Sequence, residues 1–451
     1  MNVLSLFDGM ACGMLALLKA GIQVNNYYAY EIDKYAVQTA SHNFPDIQEF
    51  GDVFNADFKQ YEGIDYLIGG SPCTYWSIAQ SPDKRETTAS GIGWELFSQY
   101  VRALHEAKPR YFIYENNKSM AKAIYNSISE TFGFEPIMIN SALVSAQNRQ
   151  RYYWVGKRND DGIYSKVDVE QPEDRGILLR DVLDGIAFKD KQNCIDANYY
   201  KGGNYSNPKK QSGQRMCVAE PVACRCRGRT DKNGNGYAKY ECRNDYKSNT
   251  LDTNSTNGNM IAEPVNVTDN GKSQTIKAQY QKSSIANICK YTSTYGASGV
   301  AEPVDKSVRV GIYPTSDGRL LNSQGMRIYS IDGKSVTQSA QGGGMGAKTG
   351  LYAIPVEFDG DIPIKAISAA DGKTYKVYEV KNGNITIKGK TYPVKLIDGY
   401  YIIRKLTVSE CKRLQTVPEW YEFPVSATQA YKMLGNGWTV DVIAHLLKYM
   451  V

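Results

Sequence analysis

The sequence predicts an α/β fold: a mostly parallel sheet with helices on both faces, joined to a smaller β- and loop-rich region. Three observations carry that expectation. Residues 1–155 alternate short apolar strand runs with helical patterns, the order that builds parallel sheets. From residue 186 Gly, Asn, Ser, Thr and Tyr dominate and helical periodicity disappears. It returns in the last segment, residues 425–450, interrupted by Gly435-Asn436-Gly437.

The elements follow in order. Val3–Phe7 reads as a first core strand rather than a leader, and Met14–Lys19 as the helix after it. Between them, Phe7-Asp8-Gly9 to Gly13 forms a glycine turn that brings main-chain N–H groups and a helix start toward a ligand. It lacks the G-x-G-x-x-G pattern, which argues against a dinucleotide site. Tyr27–Tyr30 is a second strand, ending at Glu31 and Ile32, and Lys34–Asn43 a second helix. An acidic side chain at that strand end can accept both hydroxyls of a ribose. Asp52, before Val53, lies at a later turn. Either carboxylate alone reads as a surface residue; their order after successive strands signals a nucleoside.

Tyr66–Ile68 is a buried strand that runs into Gly69-Gly70-Ser71-Pro72-Cys73. Open α/β sheets keep their chemistry at such strand ends. Proline stiffens the loop, the glycines admit close approach, and a positioned thiol is a nucleophile candidate. The plain alternative for a cysteine is a buried, inert side chain. Gly93–His105 is a helix and Tyr111–Tyr114 a further strand.

The chain has 451 residues and a net charge of +6, unevenly spread. Residues 186–350 hold 23 Lys and Arg against 13 Asp and Glu, a net of +10, which suits a polyanion as well as a solvated surface. Ala-Glu-Pro-Val recurs at Ala219, Ala262 and Ala301, and Lys-Ser-x-Thr at Lys247, Lys272 and Lys334. Such spacing points to repeated supersecondary units or to duplicated filler. Residues 373–402 alternate apolar and polar, with Asn382-Gly383 as a hairpin turn, and read as a β-meander. Nine scattered cysteines suit a reducing cytosol, and Cys224-Arg225-Cys226 is not a convincing zinc spacing. His42, His105 and His445 are not spaced as metal ligands, and no apolar run is long enough for a membrane span.

With Cys73 added, these motifs closely resemble the cytosine-C5 DNA methyltransferase family. Pro72-Cys73 resembles its catalytic Pro-Cys, and Tyr114-Glu115-Asn116-Asn117 its Glu-Asn-Val motif. Gln147-Asn148-Arg149-Gln150-Arg151 matches its Gln-x-Arg-x-Arg motif. Arg404-Lys405-Leu406-Thr407, with Glu410, Arg413 and Gln415, resembles the motif that closes its target-recognition domain. Gln429 to Gly437 resembles its C-terminal motif. The matches run in family order from residue 5 to 440. Ala11 and Cys12 in the first turn, Asn117 for Val and Gly437 for Ser depart from the pattern.

The resemblance implies a Rossmann-like methyltransferase domain over residues 1–185, completed by 425–451, and a target-recognition domain over 186–424. It implies S-adenosylmethionine as cofactor, held by Phe7, Asp8, Gly9, Gly13, Glu31, Ile32, Asp52, Val53, Pro72 and Asn436. Cys73 would attack C6 of a flipped-out cytosine, so that C5 can take the methyl group. Glu115, a carboxylate for which a raised pKa would suit the task, would hold N3. Arg151 and Arg149 would brace the base carbonyl. No metal is required. Thr74–Gly93 would close over the base. Residues 324–350 resemble a recognition loop of GCGC-type relatives, with Gln147, Arg327, Gly343 and Gly344 as DNA contacts. The expected partner is double-stranded DNA, with no membrane and no obligate protein partner evident, in a bacterial or phage-encoded cytoplasmic enzyme. A tRNA cytosine-C5 methyltransferase and a non-catalytic DNA-binding relative remain as alternatives.

Overall fold

In a computed structural model of the chain, the described residues are 1–77, 83–184, 223–230, 236–243, 306–340, 345–346, 348–356, 366–368 and 373–450. The chain divides into two compact units, one of Met1–Phe188 with Glu302–Val451, the other of Lys189–Ala301.

The first unit opens with alternating strands and helices: β1 (Asn2–Leu6), α1 (Cys12–Lys19), β2 (Asn26–Tyr30), α2 (Lys34–Asn43) and β3 (Gln48–Glu49). There follow β4 (Tyr66–Gly69), α3 (Ile92–Ala107), β5 (Tyr111–Asn117), α4 (Lys122–Phe132), β6 (Ile137–Asn140), β7 (Gln150–Arg158) and β8 (Tyr164–Lys166). The sheet order is β3-β2-β1-β4-β5-β7-β6, with β8 beside β7. Strand β1 runs parallel to β2 and β4, and β4 to β5. Only the pairs of β7, with β5, β6 and β8, are antiparallel.

Period-2 alternation explains why helices cover both faces. Val3, Tyr66, Ile68, Tyr111 and Ile113 face one apolar cluster, which contains α1 and the C-terminal helix. Leu4, Leu6, Leu67, Phe112 and Tyr114 face the other, filled by α3 and α4. Gly156 on β7 leaves room for the ring of its in-register partner Phe112 on this second face, since a Cβ there would come 2.1 Å from Phe112 Cε1.

In the second unit the described part is the antiparallel hairpin β9 (Ala223–Thr230) and β10 (Gly236–Arg243). The Lys-Ser-x-Thr copies at Lys247 and Lys272, and all three Ala-Glu-Pro-Val pieces, lie outside the described residues.

The first unit resumes with β11 (Arg309–Ile312), β12 (Arg327–Ser330), β13 (Leu351–Val356), β14 (Ala366–Ser368), β15 (Thr374–Lys381), β16 (Asn384–Ile387), β17 (Lys390–Pro393) and β18 (Gly399–Arg404). They form one sheet in the order β11-β12-β13-β18-β15-β16-β17, with β14 beside β15. The expected meander is therefore the outer part of a larger sheet. Its turn has the expected chemistry: Asn382 and Gly383 take φ of 51° and 69°, both left-handed, between paired Lys381 and Asn384. Three helices close the chain: α5 (Val408–Leu414), α6 (Ala427–Asn436) and α7 (Val440–Leu447). Among the described residues no helix is long and apolar enough to cross a membrane.

Strand β18 is tied to α5 by a buried ion pair. Arg404 Nη1 and Nη2 donate to Glu410 Oε2 and Oε1 at 2.7 and 2.6 Å. The same fully buried carboxylate accepts from Thr407 N at 2.7 Å, closing a capping box on α5, and from Asp184 N at 2.9 Å. Removing one member leaves the other charge buried and unpaired. Glu410→Ala should therefore cost about 3–5 kcal/mol of folding stability, read by urea unfolding. An unchanged midpoint and slope would show that the pair contributes nothing.

Candidate active site

Strands β1 and β4 are neighbours from which the chain winds outward in opposite directions, so their carboxyl ends flank a crevice. Cys73 stands at that edge. It is half-buried, carries a free thiol and begins a 3-10 turn, Cys73–Tyr75, capped by Pro72. Strand β5 pins the loop. Tyr114 OH lies 2.6 Å from Ser71 Oγ, and Asn116 Nδ2 donates to Ser71 O at 3.2 Å. Asn117 Nδ2 reaches Cys73 O at 3.5 Å, a contact that valine could not make. Gly70 must be glycine: a Cβ would lie 2.7 Å from Glu115 O and 2.9 Å from Glu115 Oε2. After the thiol, Trp76 Nε1 and Gly93 N both donate to Glu86, which ties the described ends of the 74–93 loop to the start of α3.

Glu115 is 8% exposed, and each of its oxygens has a donor. Arg151 Nε lies 3.0 Å from Oε1, and Trp438 Nε1 donates to Oε2 at 3.0 Å. Arg149 and Arg151, two residues apart, have separate surroundings. Arg149 is 3% exposed, and its guanidinium donates to Gln338 O at 3.5 Å, Gly435 O at 3.1 Å and Gly437 O at 2.8 Å. Burial, then the nearby Arg151 charge, lowers it to about 10, so it stays charged at neutral pH. That placement departs from the expected contact with a base carbonyl, because the side chain is buried against three main-chain carbonyls.

A second group of carboxylates gathers beside β1. Phe7, at φ 57°, and Gly9, at φ 64°, make the sharp turn after the strand. Left-handed backbone is uncommon for a bulky residue, and the outlier sits at the crevice. Asp8 Oδ1 accepts from Ser5 Oγ at 2.5 Å and Tyr27 OH at 2.6 Å, while its buried Oδ2 has no partner among the described residues. Burial, with Glu31 adding to it, raises Asp8 to about 6. Glu31 is held by Gly9 N at 2.9 Å, Ile32 N at 2.8 Å and Asp33 N at 2.7 Å. Glu49 is the third member. Both of its carboxylate oxygens are buried without a partner among the described residues, and burial followed by the charges of Asp8 and Glu31 raises it to about 8. Unfilled acceptors on Asp8 and Glu49, beside Glu31 and a glycine whose missing Cβ faces open space, fit a hydroxyl-bearing ligand that carries positive charge.

The other expected residues fall into three groups. Ile32, Asp52, Pro72 and Asn436 are exposed, with Asp52 Oδ1 capping a short turn at Phe54 N. Val53 and Gly13 belong to the packing. Val53 is buried, and a Cβ on Gly13 would meet Ile68 Cδ1 at 2.4 Å and Tyr27 OH at 2.6 Å. Gln147, expected at DNA, is fully buried, and its main chain bridges to Ser335; the placement departs from a DNA contact because no duplex reaches a buried amide. Arg327 is held by Asn322 through Nε at 3.2 Å and Nη2 at 3.0 Å. Gly343 and Gly344 lie outside the described residues.

The Lys-Ser-x-Thr copy at Lys334–Thr337 is a clamp on the segment before β7. Buried Lys334 donates through Nζ to the carbonyls of Ala142 at 2.8 Å, Ser145 at 3.3 Å and Ile177 at 2.6 Å. Ser335 N donates to Ala146 O, Asn148 N to Ser335 O, and Thr337 Oγ1 to Asn148 O at 2.6 Å. Sequence reasoning missed Glu49 and Trp438. Trp438 directly follows the C-terminal motif, a position that could have drawn attention. Glu49 had no local signal.

A family model described as C-5 cytosine-specific DNA methylase matches residues 1–451. The orphan methyltransferase M.SPRI of Bacillus phage SPR is 25% identical over 100% of this chain and 97% of its own length. The orphan methyltransferase M.Rho11sI of Bacillus phage rho11s is 35% identical over 36% of this chain, which covers 33% of that protein. Among solved structures, the Entamoeba histolytica methyltransferase EhMeth aligns with 100% of this chain and 97% of its own at 11% identity. Its TM-score is 0.48, too loose a likeness to bear on function.

Two departures from the family pattern touch each other. A Cβ on Gly437 would lie 3.1 Å from Cys12 Sγ and 3.0 Å from Met433 O. Burial pushes the Cys12 thiol up to about 12, so it acts as a packing group. Gly437→Ser should cost about 1–3 kcal/mol by overpacking. Cys12→Ala in the same chain should recover part of that loss. Strictly additive losses in thermal melts of the two single variants and the double variant would show that the sites are independent.

Proposed function

The chain belongs to the C-5 cytosine-specific DNA methylases and is a DNA cytosine-C5 methyltransferase, and on that premise we propose how its own residues carry the reaction. The reading rests on one arrangement. Strands β4 and β5 pair in parallel, with Gly69 opposite Tyr114, so the Cys73 loop and Glu115 leave the same sheet edge, and Arg151 pairs with Glu115.

Cytosine C5 is a poor nucleophile while the ring is intact. The Cys73 thiolate adds to C6 and makes C5 enamine-like. Glu115 holds the N3 edge and moves a proton there, which limits the charge that builds on the ring. Arg151 stabilises the charge on the base carbonyl from the Glu115 side. Arg149 acts at a distance, by fixing the C-terminal glycines. Loss of the C5 proton to water then restores the C5–C6 double bond and expels Cys73 as thiolate, and N3 returns its proton to Glu115. Because C5 and C6 are stacked in a duplex, the base is extruded before any of these steps.

The methyl donor is S-adenosylmethionine, which supplies, when bound, an electrophilic methyl group on a positively charged sulfur. Glu31 takes the ribose hydroxyls, and Asp8 and Glu49 meet the positive charge. Phe7, Gly9, Ile32, Asp52, Pro72 and Asn436 complete the walls. Residues 186–424 read the target, with phosphate contacts from their basic residues supplying affinity.

Cys73→Ala should abolish methyl transfer to duplex DNA and leave DNA binding intact, since the thiol acts in the chemistry alone. Glu115→Gln should slow transfer about a hundredfold, the scale of acid–base assistance. Radiolabelled methyl transfer and filter retention of DNA measure the two properties, and turnover by the alanine variant would sink the mechanism.

Glu49 gives a pH signature. It is neutral below about 8 and charged above, and a cation favours the charged form. Cofactor affinity should therefore rise as pH rises through that value. Binding at neutral pH should release protons, which calorimetry in buffers of different ionisation enthalpy detects. Glu49→Gln should remove the release; equal release in both proteins would place the titration elsewhere.

A further inference from the structure

We propose that Trp438 is a positioning residue for the carboxylate that handles the base, its indole N–H holding Glu115 in the plane that faces N3. The inference deepens the reading above and rests on it. Trp438 Nε1 donates to Glu115 Oε2 at 3.0 Å, and Arg151 Nε lies 3.0 Å from Oε1. A carboxylate turns easily about its last bond unless both oxygens are held. Here they are held from two different parts of the chain, and Gly70 closes the space behind Oε2. Each oxygen keeps a lone pair beyond the one engaged, and the fixed plane decides where those lone pairs point. An indole N–H is a donor only, so it cannot reverse its role when Glu115 exchanges a proton with N3.

The tryptophan is itself fixed. Gly437 before it gives its carbonyl to Arg149 at 2.8 Å. Thr439 after it is buried, with its Oγ1 2.8 Å from Gln415 Oε1 and 2.9 Å from Ser141 Oγ. Gln415 Nε2 also donates to Leu434 O at 2.6 Å, near the end of α6. Trp438 therefore joins the C-terminal motif, which carries Asn436, to the side chain on β5 that meets the base. The buried Arg149 serves the same end by holding the main chain on either side of Asn436.

The test is single-turnover methyl transfer to duplex DNA by wild type, Trp438→Phe, Glu115→Gln and the double variant. Trp438→Phe keeps a ring and loses the N–H. It should slow the chemical step at least about tenfold, the effect of one hydrogen bond to a charged group. The KM values for DNA and S-adenosylmethionine should stay within about twofold. In the Glu115→Gln background the same change should cost less than about twofold, because the two residues act as one unit. Equal slowing in both backgrounds would overturn the proposal. So would a loss confined to KM for S-adenosylmethionine, which would make Trp438 a wall of the cofactor site. Should the phenylalanine variant fold poorly, benzothienylalanine at position 438 keeps the ring shape and removes only the N–H. It carries the same expectation, and an undiminished rate with it overturns the proposal. An inactive wild-type chain would count against the reaction assigned above, whereas an active wild type with an unaffected variant counts against Trp438 alone.

Discussion

A buried guanidinium without a carboxylate partner among the described residues is the constraint on which the site depends. Arg149 is nearly inaccessible to water, and an unsolvated charge is costly unless every donor is satisfied. Main-chain carbonyls at Gln338, Gly435 and Gly437 accept three of its hydrogen bonds. Those carbonyls come from the segment before β13 and from the end of α6. One side chain thus fixes the spacing of three stretches far apart in sequence. Gly435 has to be glycine for this closeness, since a Cβ would lie 2.5 Å from Ala340 N. With the glycines held, Trp438 has its place, and with Trp438 the outer oxygen of Glu115.

The second sheet is fastened by the same physics. Lys334 is a buried cation in a cage of three carbonyls, and its neighbours complete a short ladder with residues 146–148. A carbonyl cage offsets part of the cost of taking a cation out of water. It also grips main chain, so the contact does not depend on which side chains surround it. The Lys-Ser-x-Thr pattern that looked like a repeat signal is, at its described copy, a docking element beside the arginine-bearing strand.

The departures from the family pattern follow the same local logic. Asn117 reaches the Cys73 carbonyl, so an amide in place of valine adds a tie to the nucleophile loop. Cys12 fills space that Gly437 leaves, so an extra sulfur on one side accompanies a missing side chain on the other. Neither change touches the group that attacks the base.

The sequence by itself determined the strands and helices around the crevice, because alternation and helical spacing are local properties. It placed Cys73 on a stiff loop and Glu115 on the next strand, and the hairpin turn at Asn382-Gly383 followed from its two residues. The order of motifs named the chemistry. Only the tertiary structure decided what became of side chains whose environment is built by distant segments. Arg149 and Arg151 look equivalent two residues apart, yet one meets carbonyls from residues 338–437 and the other meets Glu115. Gln147 has the look of a polar contact and is buried because residues 334–337 clamp over it. Glu49 gains its raised pKa from burial beside Asp8 and Glu31, which precede it by 41 and 18 residues. Trp438 becomes a partner of Glu115 across 323 residues. Burial and electrostatic environment are sums over neighbours in space, and sequence spacing specifies only the neighbours along the chain.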